Sequence, residues 1–300
     1  MSPIRAAVPL PSLFPPNLQG NFGFVLTGAA SHHPFGAIMV AGIPDLHLLD
    51  TGQVFTRKRY EPVASSEGML ALEAIGSVVE GHQEIDNITD EALSRFQNTY
   101  GDSFTKDDIF YYVYGLLHSP DYRETYAADL KKSLPRIPLV ADAAPFVEAG
   151  RRLSELHLGY ESVAPYPLDG LDSDPGGADP YEFFRVEKLK FTKVRDPETK
   201  KLVPDKSTVV YNDRITLSGI PEAAHRYMLG SRSAVEWIID RYQVKTDKAS
   251  GIVNDPNDWS REVEDPRYII DLLARITTVS LETMTIVDGL PSLDIRSPSS

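Results

Sequence analysis

Between residues 88 and 160 three helix starts follow one another, and they fix what the middle of this chain can become. Thr89 precedes Asp90 and Glu91, an N-cap followed by acids that complement the helix dipole, and Leu93, Phe96 and Tyr100 continue an apolar stripe behind it. Thr105 with Asp108 three residues on has capping-box spacing. Ser119-Pro120 is an N-cap with proline at the first helical position, opening a helix expected to end before Pro135. Phe146 to Tyr160 reads as one more helix. The flanks differ. Phe22–Thr27, Phe35–Ala41 and Gln53–Tyr60 are short runs bounded by Gly, Ser and Pro, which predicts strands.

Further on, LDGLDSDPGGADP (Leu168–Pro180) reads as a solvent loop and an internal seam. Phe184–Val194 and Ser207–Leu217 then predict an antiparallel hairpin with RDPETKKLVPDK as a long polar tip. Ser233 with Glu236 is a second capping box, and Val235, Ile238, Ile239 and Tyr242 share one helical face. A last amphipathic helix is expected from about Arg267 to Glu282. The fold class expected is mixed α/β (α+β), small mixed sheets with a substantial helical layer. We expect one domain over residues 1–290, β-rich at 20–62, helical at 88–160 and a hairpin plus helices at 181–285, with 291–300 a disordered tail.

Composition narrows the classes of function. The 300 residues, 42% hydrophobic and 24% charged, suffice for a real core, while no apolar run approaches the roughly 18 to 20 residues of a membrane helix. MSPIRAAVPLPSLFPPN is too broken by proline for a secretory signal, so export is not expected. The chain has no cysteine, which excludes disulfides, thiolate metal sites and Cys nucleophiles and suits a cytoplasmic location. Net charge is −13, the wrong sign for a chain that grips a polyanion unaided. The charge is uneven: Tyr181 to Ser250 carries 14 Lys or Arg against 10 Asp or Glu, +4, leaving −17 for the remainder.

Enzyme signatures are missing. No G-x-G-x-x-G, G-x-x-x-x-G-K-[ST], G-x-S-x-G or H-E-x-x-H occurs, so no catalytic residue and no cofactor is expected. Asp45 and His47 would share one face of a strand, yet no third ligand follows at metal-site spacing, so no metal is expected. Asp196 with Glu198 and Lys200 imitates the carboxylates and lysine of magnesium nucleases, but five neighbouring positions in a Pro-containing tip make a solvated turn instead. Phe110-Tyr111-Tyr112-Val113-Tyr114 lies in a helix, where aromatics are core more often than base-stacking platforms. Two basic series carry more: Arg57-Lys58-Arg59, and Lys188, Lys190, Lys193 and Arg195. In a strand Lys188 and Lys190 share a face while Phe191 turns to the other, and a ribbon with a basic face fits a DNA groove. A solvated surface is the competing reading.

DIFYYVYGLLHSPDYRETYAADLKKSLPRIPL, from Asp108 to Leu139, resembles the C-terminal specificity domain of type ISP restriction–modification enzymes. These are single-chain proteins combining nuclease, translocase, adenine methyltransferase and target-recognition parts. Phe14–Phe55, Ala149–Glu161, Val186–Phe191 and Tyr211–Trp259 are similar to that family in the same order, so the resemblance covers nearly the whole chain. It departs after GQVF, where the family tends to a neutral Pro-Leu-Tyr stretch and this chain has Thr56-Arg57-Lys58-Arg59. The family's [ND]-P-P-Y methyltransferase tetrapeptide has no counterpart, since Phe14-Pro15-Pro16-Asn17 merely shares letters.

The resemblance implies a target-recognition domain that positions double-stranded DNA for an adjacent adenine methyltransferase, with the methyltransferase and helicase/nuclease domains of a parent enzyme as partners. The chain is accordingly expected to be a stand-alone protein or a fragment starting near the domain edge. Arg57, Lys58, Arg59, Lys188, Lys190, Lys193 and Arg195 are the expected DNA-binding residues, with Trp237 and Tyr114 in packing roles. The alternative is a coupling module that binds no DNA and docks its acidic remainder on basic surfaces of a partner domain.

Overall fold

The computed structural model describes residues 10–16, 18, 20–29, 31–45, 48–49, 51–63 and 78–296. The chain divides into two compact units, one holding residues up to Leu158 together with those from Ile286 on, the other spanning Gly159–Thr285. The division falls ahead of the Gly/Asp/Pro-rich loop at 168–180, which lies inside the second unit rather than at a seam.

The first unit opens with α1 (Leu10–Leu13) and a sheet in the order β2-β1-β3, made of β1 (Gly23–Leu26), β2 (Ala37–Val40) and β3 (Gln53–Thr56). Every residue of β1 is buried. Arg57 separates β3 from β4 (Lys58–Pro62), which pairs with β6 (His82–Asp86) in the order β4-β6-β5 with β5 at Val78–Val79. The helices are α2 (Asp90–Tyr100), α3 (Lys106–His118), α4 (Pro120–Thr125), α5 (Ala127–Leu130) and α6 (Ala144–Leu158). Thr89 caps α2 and Thr105 with Asp108 forms the capping box of α3. Ser119 caps α4, but the backbone leaves the helical region at Tyr126, giving two short helices where one was expected.

The aromatic run of α3 is core: Phe110, Tyr112 and Tyr114 are fully buried, and the Phe24 ring lies 5.2 Å from Phe110 and 5.8 Å from Tyr114. α3 and α6 touch backbone to backbone through two glycines. A Cβ on Gly115 would fall 2.1 Å from the Phe146 carbonyl oxygen, and one on Gly150 1.9 Å from that of Tyr111. At 293–296 the backbone finds partners within the unit: Ala141 N donates to Asp294 O at 2.8 Å and Arg296 N to Leu139 O at 2.9 Å, while Leu293 N donates to the Asp121 carboxylate at 3.0 Å.

The second unit contains α7 (Pro180–Phe183), a sheet of β7 (Lys190–Arg195), β8 (Leu202–Val210) and β9 (Thr216–Ser218), and a small pair β10 (Met228–Leu229) and β11 (Arg232–Ser233). Then come α8 (Ala234–Arg241), the pair β12 (Lys245–Thr246) and β13 (Val253–Asn254), α9 (Asn257–Glu262) and α10 (Tyr268–Asp288), whose residues from Ile286 on are counted with the first unit. The Ser233–Glu236 capping box starts α8. Val209, Tyr211 and Leu217 of the sheet region pack with Val235 and Ile239 of α8 and Ile269, Ile270 and Leu273 of α10 in one core. Every strand pairing in both units is antiparallel among the described residues, so the class is mixed α/β with small antiparallel sheets. The hairpin strands are displaced from expectation. The stretch before Lys190 is not strand, because Asn257 occupies both backbone groups of Val186 with its side-chain amide. At the far end pairing continues to Arg195 opposite Leu202, shortening the tip to 196–201.

Candidate nucleic-acid interface

Arg57, Lys58 and Arg59 belong to the first unit, and its packing has already engaged their charges. Arg57 is 8% exposed and bridges the carboxylates of Asp86 and Asp107. Burial pushes Asp86 toward the neutral acid, but the hydrogen bond and charge of Arg57 overcome this and hold it below the ordinary carboxylate range. Lys58 pairs with Glu84 opposite it on β6, and Arg59 with Glu61 at 3.1 Å. Arg57, expected as a DNA contact, is thus engaged within the unit by two carboxylates. Arg57, the single residue between two strands of different sheets, is turned inward, and the acids beside it arrive from 29 and 50 residues away, beyond local sequence reasoning.

The second series is different. Lys188, Lys190, Lys193 and Arg195 are all exposed, and none forms an ion pair among the described residues. Lys188, just before β7, and Lys190, its first residue, both line a cleft of about 490 Å³. Arg185 and Arg214 join them there, with Glu182, Glu187 and Asp213 as the acidic counterparts. Arg185 is held by Asp255 at 2.6 Å, and Asn212 spends its amide on Phe183 O and Arg185 O and its oxygen on Arg214 N and Ile215 N. These residues build the cleft wall, leaving Lys188 and Lys190 as its uncommitted charges.

Beyond Phe191 the register shifts, with Phe191 opposite Val209 but Thr192 opposite Asp205. The bulge separates a base that packs on the core from an outer two-stranded arm, Thr192–Arg195 with Leu202–Asp205. Lys193 and Arg195 are on the arm. At its tip Asp196 accepts hydrogen bonds from Glu198 N, Thr199 N and the Thr199 hydroxyl, contacts that depress its pKa. The nuclease-like Asp196, Glu198 and Lys200 thus form a turn, and no group of three or more His, Asp or Glu able to hold a metal occurs among the described residues. His47, half of the Asp45–His47 pair, lies outside those residues.

A cationic feature that sequence reading passed over is a stack on Trp237 of α8: the guanidinium of Arg232, from β11 and paired with Asp240 at 2.8 Å, lies 5.3 Å from the ring centre and that of Arg241 5.0 Å. The Trp237 indole donates to Leu229 O at 2.8 Å, so this side chain, assigned to packing, also carries two charges. The i, i+4 spacing of Trp237 and Arg241 on a helix was the available signal.

The arrangement defines a small mixed α/β chain with an uncommitted basic ribbon. Residues 2–272 match the family model of the type ISP C-terminal specificity domain, and the chain belongs to that family. Solved structures similar to it include a nuclease-deletion mutant of the type ISP restriction–modification enzyme LlaGI in complex with a DNA substrate mimic, 35% identical with a TM-score of 0.71, covering 95% of this chain and 19% of that one. The ATP-dependent type ISP enzyme LlaBIII bound to DNA is 31% identical with a TM-score of 0.75, covering 95% and 17%. A DrdV–DNA complex is 36% identical with a TM-score of 0.74, covering 95% and 26%. The chain thus spans about a fifth of the length of these relatives. Among curated proteins no match was found. No helix among the described residues is long and apolar enough to cross a membrane.

Proposed function

We propose that this chain is a sequence-specific DNA target-recognition domain, which positions duplex DNA for an adenine methyltransferase working with helicase and nuclease parts of a type ISP enzyme in the cytoplasm. It supplies recognition and no chemistry of its own. The observation that carries the reading is the contrast between the two basic series. A lysine or arginine kept exposed without a carboxylate partner is free to displace counterions from phosphate, whereas an engaged one is not. Lys188, Lys190, Lys193 and Arg195 meet that condition in a family whose relatives have been captured with DNA. Phosphate contacts set position and base-edge contacts set sequence, so the four divide between these tasks.

The test is fluorescence anisotropy of the chain, alone and fused behind a type ISP methyltransferase domain, with duplexes taken from a randomised pool. Wild type selects a site, and changing all four positions to alanine abolishes selection. Losing a base-reading Arg alone costs about 1 to 3 kcal/mol at one base position. Unchanged binding by the fourfold variant would remove the assignment, and failure of both forms to bind any duplex would favour the coupling module.

A further inference from the structure

The outer arm carries a surface that folding leaves unused. Its register puts Lys193 opposite Pro204 and Arg195 opposite Leu202, so these four side chains share one face, and all four are exposed. Leu202 is 63% exposed, an isolated aliphatic side chain held out in solvent on a two-stranded arm. The one acid among the four residue pairs points elsewhere. Asp205 pairs with Thr192 on the other face, where Thr192 Oγ1 lies 3.3 Å from its carboxylate and Ser207 N and Oγ occupy its second oxygen. Asp196 is consumed by the turn. The face therefore presents two cations and two apolar groups with no carboxylate, which is complementary to a polyanion that also offers apolar contacts.

The dimensions fit a major groove. Four residue pairs at about 3.3 Å each make an arm some 13 Å long, which exceeds a groove depth of roughly 8.5 Å, and two strands with their side chains match a width near 12 Å. The tip is stiffened by the Asp196 turn and by Arg195 Nη1 donating to Lys200 O at 3.0 Å, which aims the guanidinium along the arm. The one apolar group on base edges in the major groove is the thymine C5-methyl, and an arginine there reads guanine O6 and N7.

We propose that the Lys193–Pro204, Arg195–Leu202 face of the arm enters the major groove, where Leu202 is a specificity-determining residue that packs on a thymine methyl while Arg195 reads a nearby guanine. This rests on the DNA-reading function proposed above. Directly opposed side chains on paired strands stand about 5 Å apart at Cβ, and base pairs rise about 3.4 Å, so the thymine and the guanine lie within two base steps of each other.

The experiment uses the chain fused to its methyltransferase partner and a duplex selected by that fusion. Each thymine of the selected site is replaced in turn by uracil, which removes only the methyl group. Wild type loses about three- to fivefold in affinity at one thymine, the worth of one buried methyl, whereas Leu202→Ser shows no difference between thymine and uracil there. Arg195→Ala loses discrimination at a guanine within two steps. Circular dichroism melts of both variants coincide with wild type, because the altered side chains are exposed and the one bond lost, from Arg195 Nη1 to Lys200 O, lies in the exposed tip outside the core. If the fusion selects DNA but uracil is tolerated everywhere, or Leu202→Ser still distinguishes the two bases, the inference fails while the DNA-reading function stands. If Leu202→Ser weakens only the association of separately produced chain and methyltransferase, the face is a protein contact and the inference is again overturned. If no duplex is selected at all, both fall.

Discussion

Arg57 and the buried histidines show how individual residues of the first unit are bound to its fold. Removing the Arg57 guanidinium would leave the Asp86 and Asp107 carboxylates facing each other across the space it filled. Because Asp107 is half exposed, part of that cost is screened. Arg57→Ala is expected to destabilise the chain by about 1 to 3 kcal/mol in urea unfolding. DNA selection by the folded variant stays within twofold of wild type, and a selective loss of DNA affinity with unchanged stability would restore Arg57 as a contact. Arg57→Lys rescues little, since a single ammonium cannot bridge two acids as the planar fork does. A second expectation concerns pH. His157 Nδ1 lies 2.6 Å from the Tyr114 hydroxyl and His118 Nδ1 2.8 Å from the Tyr114 carbonyl. Burial holds His157 at about 3 and, with the charge of Arg123, drives His118 well below the ordinary histidine value. Below the unfolded value near 6.5 the unfolded chain takes up protons that the folded one refuses, so stability falls as pH drops from about 6.5 toward 3 and is insensitive to these groups above about 7. Two such histidines make the slope approach roughly 2.7 kcal/mol per pH unit. Urea midpoints at pH 7, 6 and 5 measure it, and a flat series would show that the pair is protonated in the folded state.

Hairpin tips carry the element scale. The arm tip at Asp196 and the β12–β13 tip at Asp247 use the same local design: an aspartate accepts from the backbone and hydroxyl of a Thr or Ser three residues on, and the next residue is left-handed. In the second tip that residue is Gly251 at φ +73°, in the first it is Lys200 at φ +58°. A side chain at positive φ costs about 1 kcal/mol relative to glycine. Lys200→Gly should therefore slow amide exchange across Thr192–Asp205 by up to about fivefold, and faster exchange would show that the strain is absent. The hairpin was legible in the sequence, as were the caps at Thr89, Thr105, Ser119 and Ser233, because each depends on residues within a few positions of one another. The bulge after Phe191, the true tip at 196–201 and the burial of Arg57 depend on partners far along the chain. Charge type marked both basic series equally, and only tertiary pairing separates the engaged one from the exposed one.

Charge dominates at the scale of the whole molecule. With −13 overall and four unpaired cations on the ribbon, the chain can neutralise few phosphates. Each released counterion contributes about 0.9 to the salt dependence, so the logarithm of the binding constant should fall with the logarithm of salt concentration at a slope of about 3 to 4. The net negative charge of the chain opposes approach of the duplex. The chain alone is expected to bind its selected duplex no more tightly than about micromolar near physiological salt, against the 10⁻⁸ to 10⁻¹¹ M of complete specific binders. Fusion to a methyltransferase that holds the other side of the duplex makes the ribbon's contacts intramolecular and raises affinity by about a hundredfold or more without any new contact from this chain. Anisotropy titrations at several salt concentrations, with random and selected duplexes, measure both quantities. A slope near 8 or nanomolar binding by the chain alone would mean that more cations meet phosphate than the ribbon supplies, and Arg241 on the Trp237 ring would be the first place to look for them.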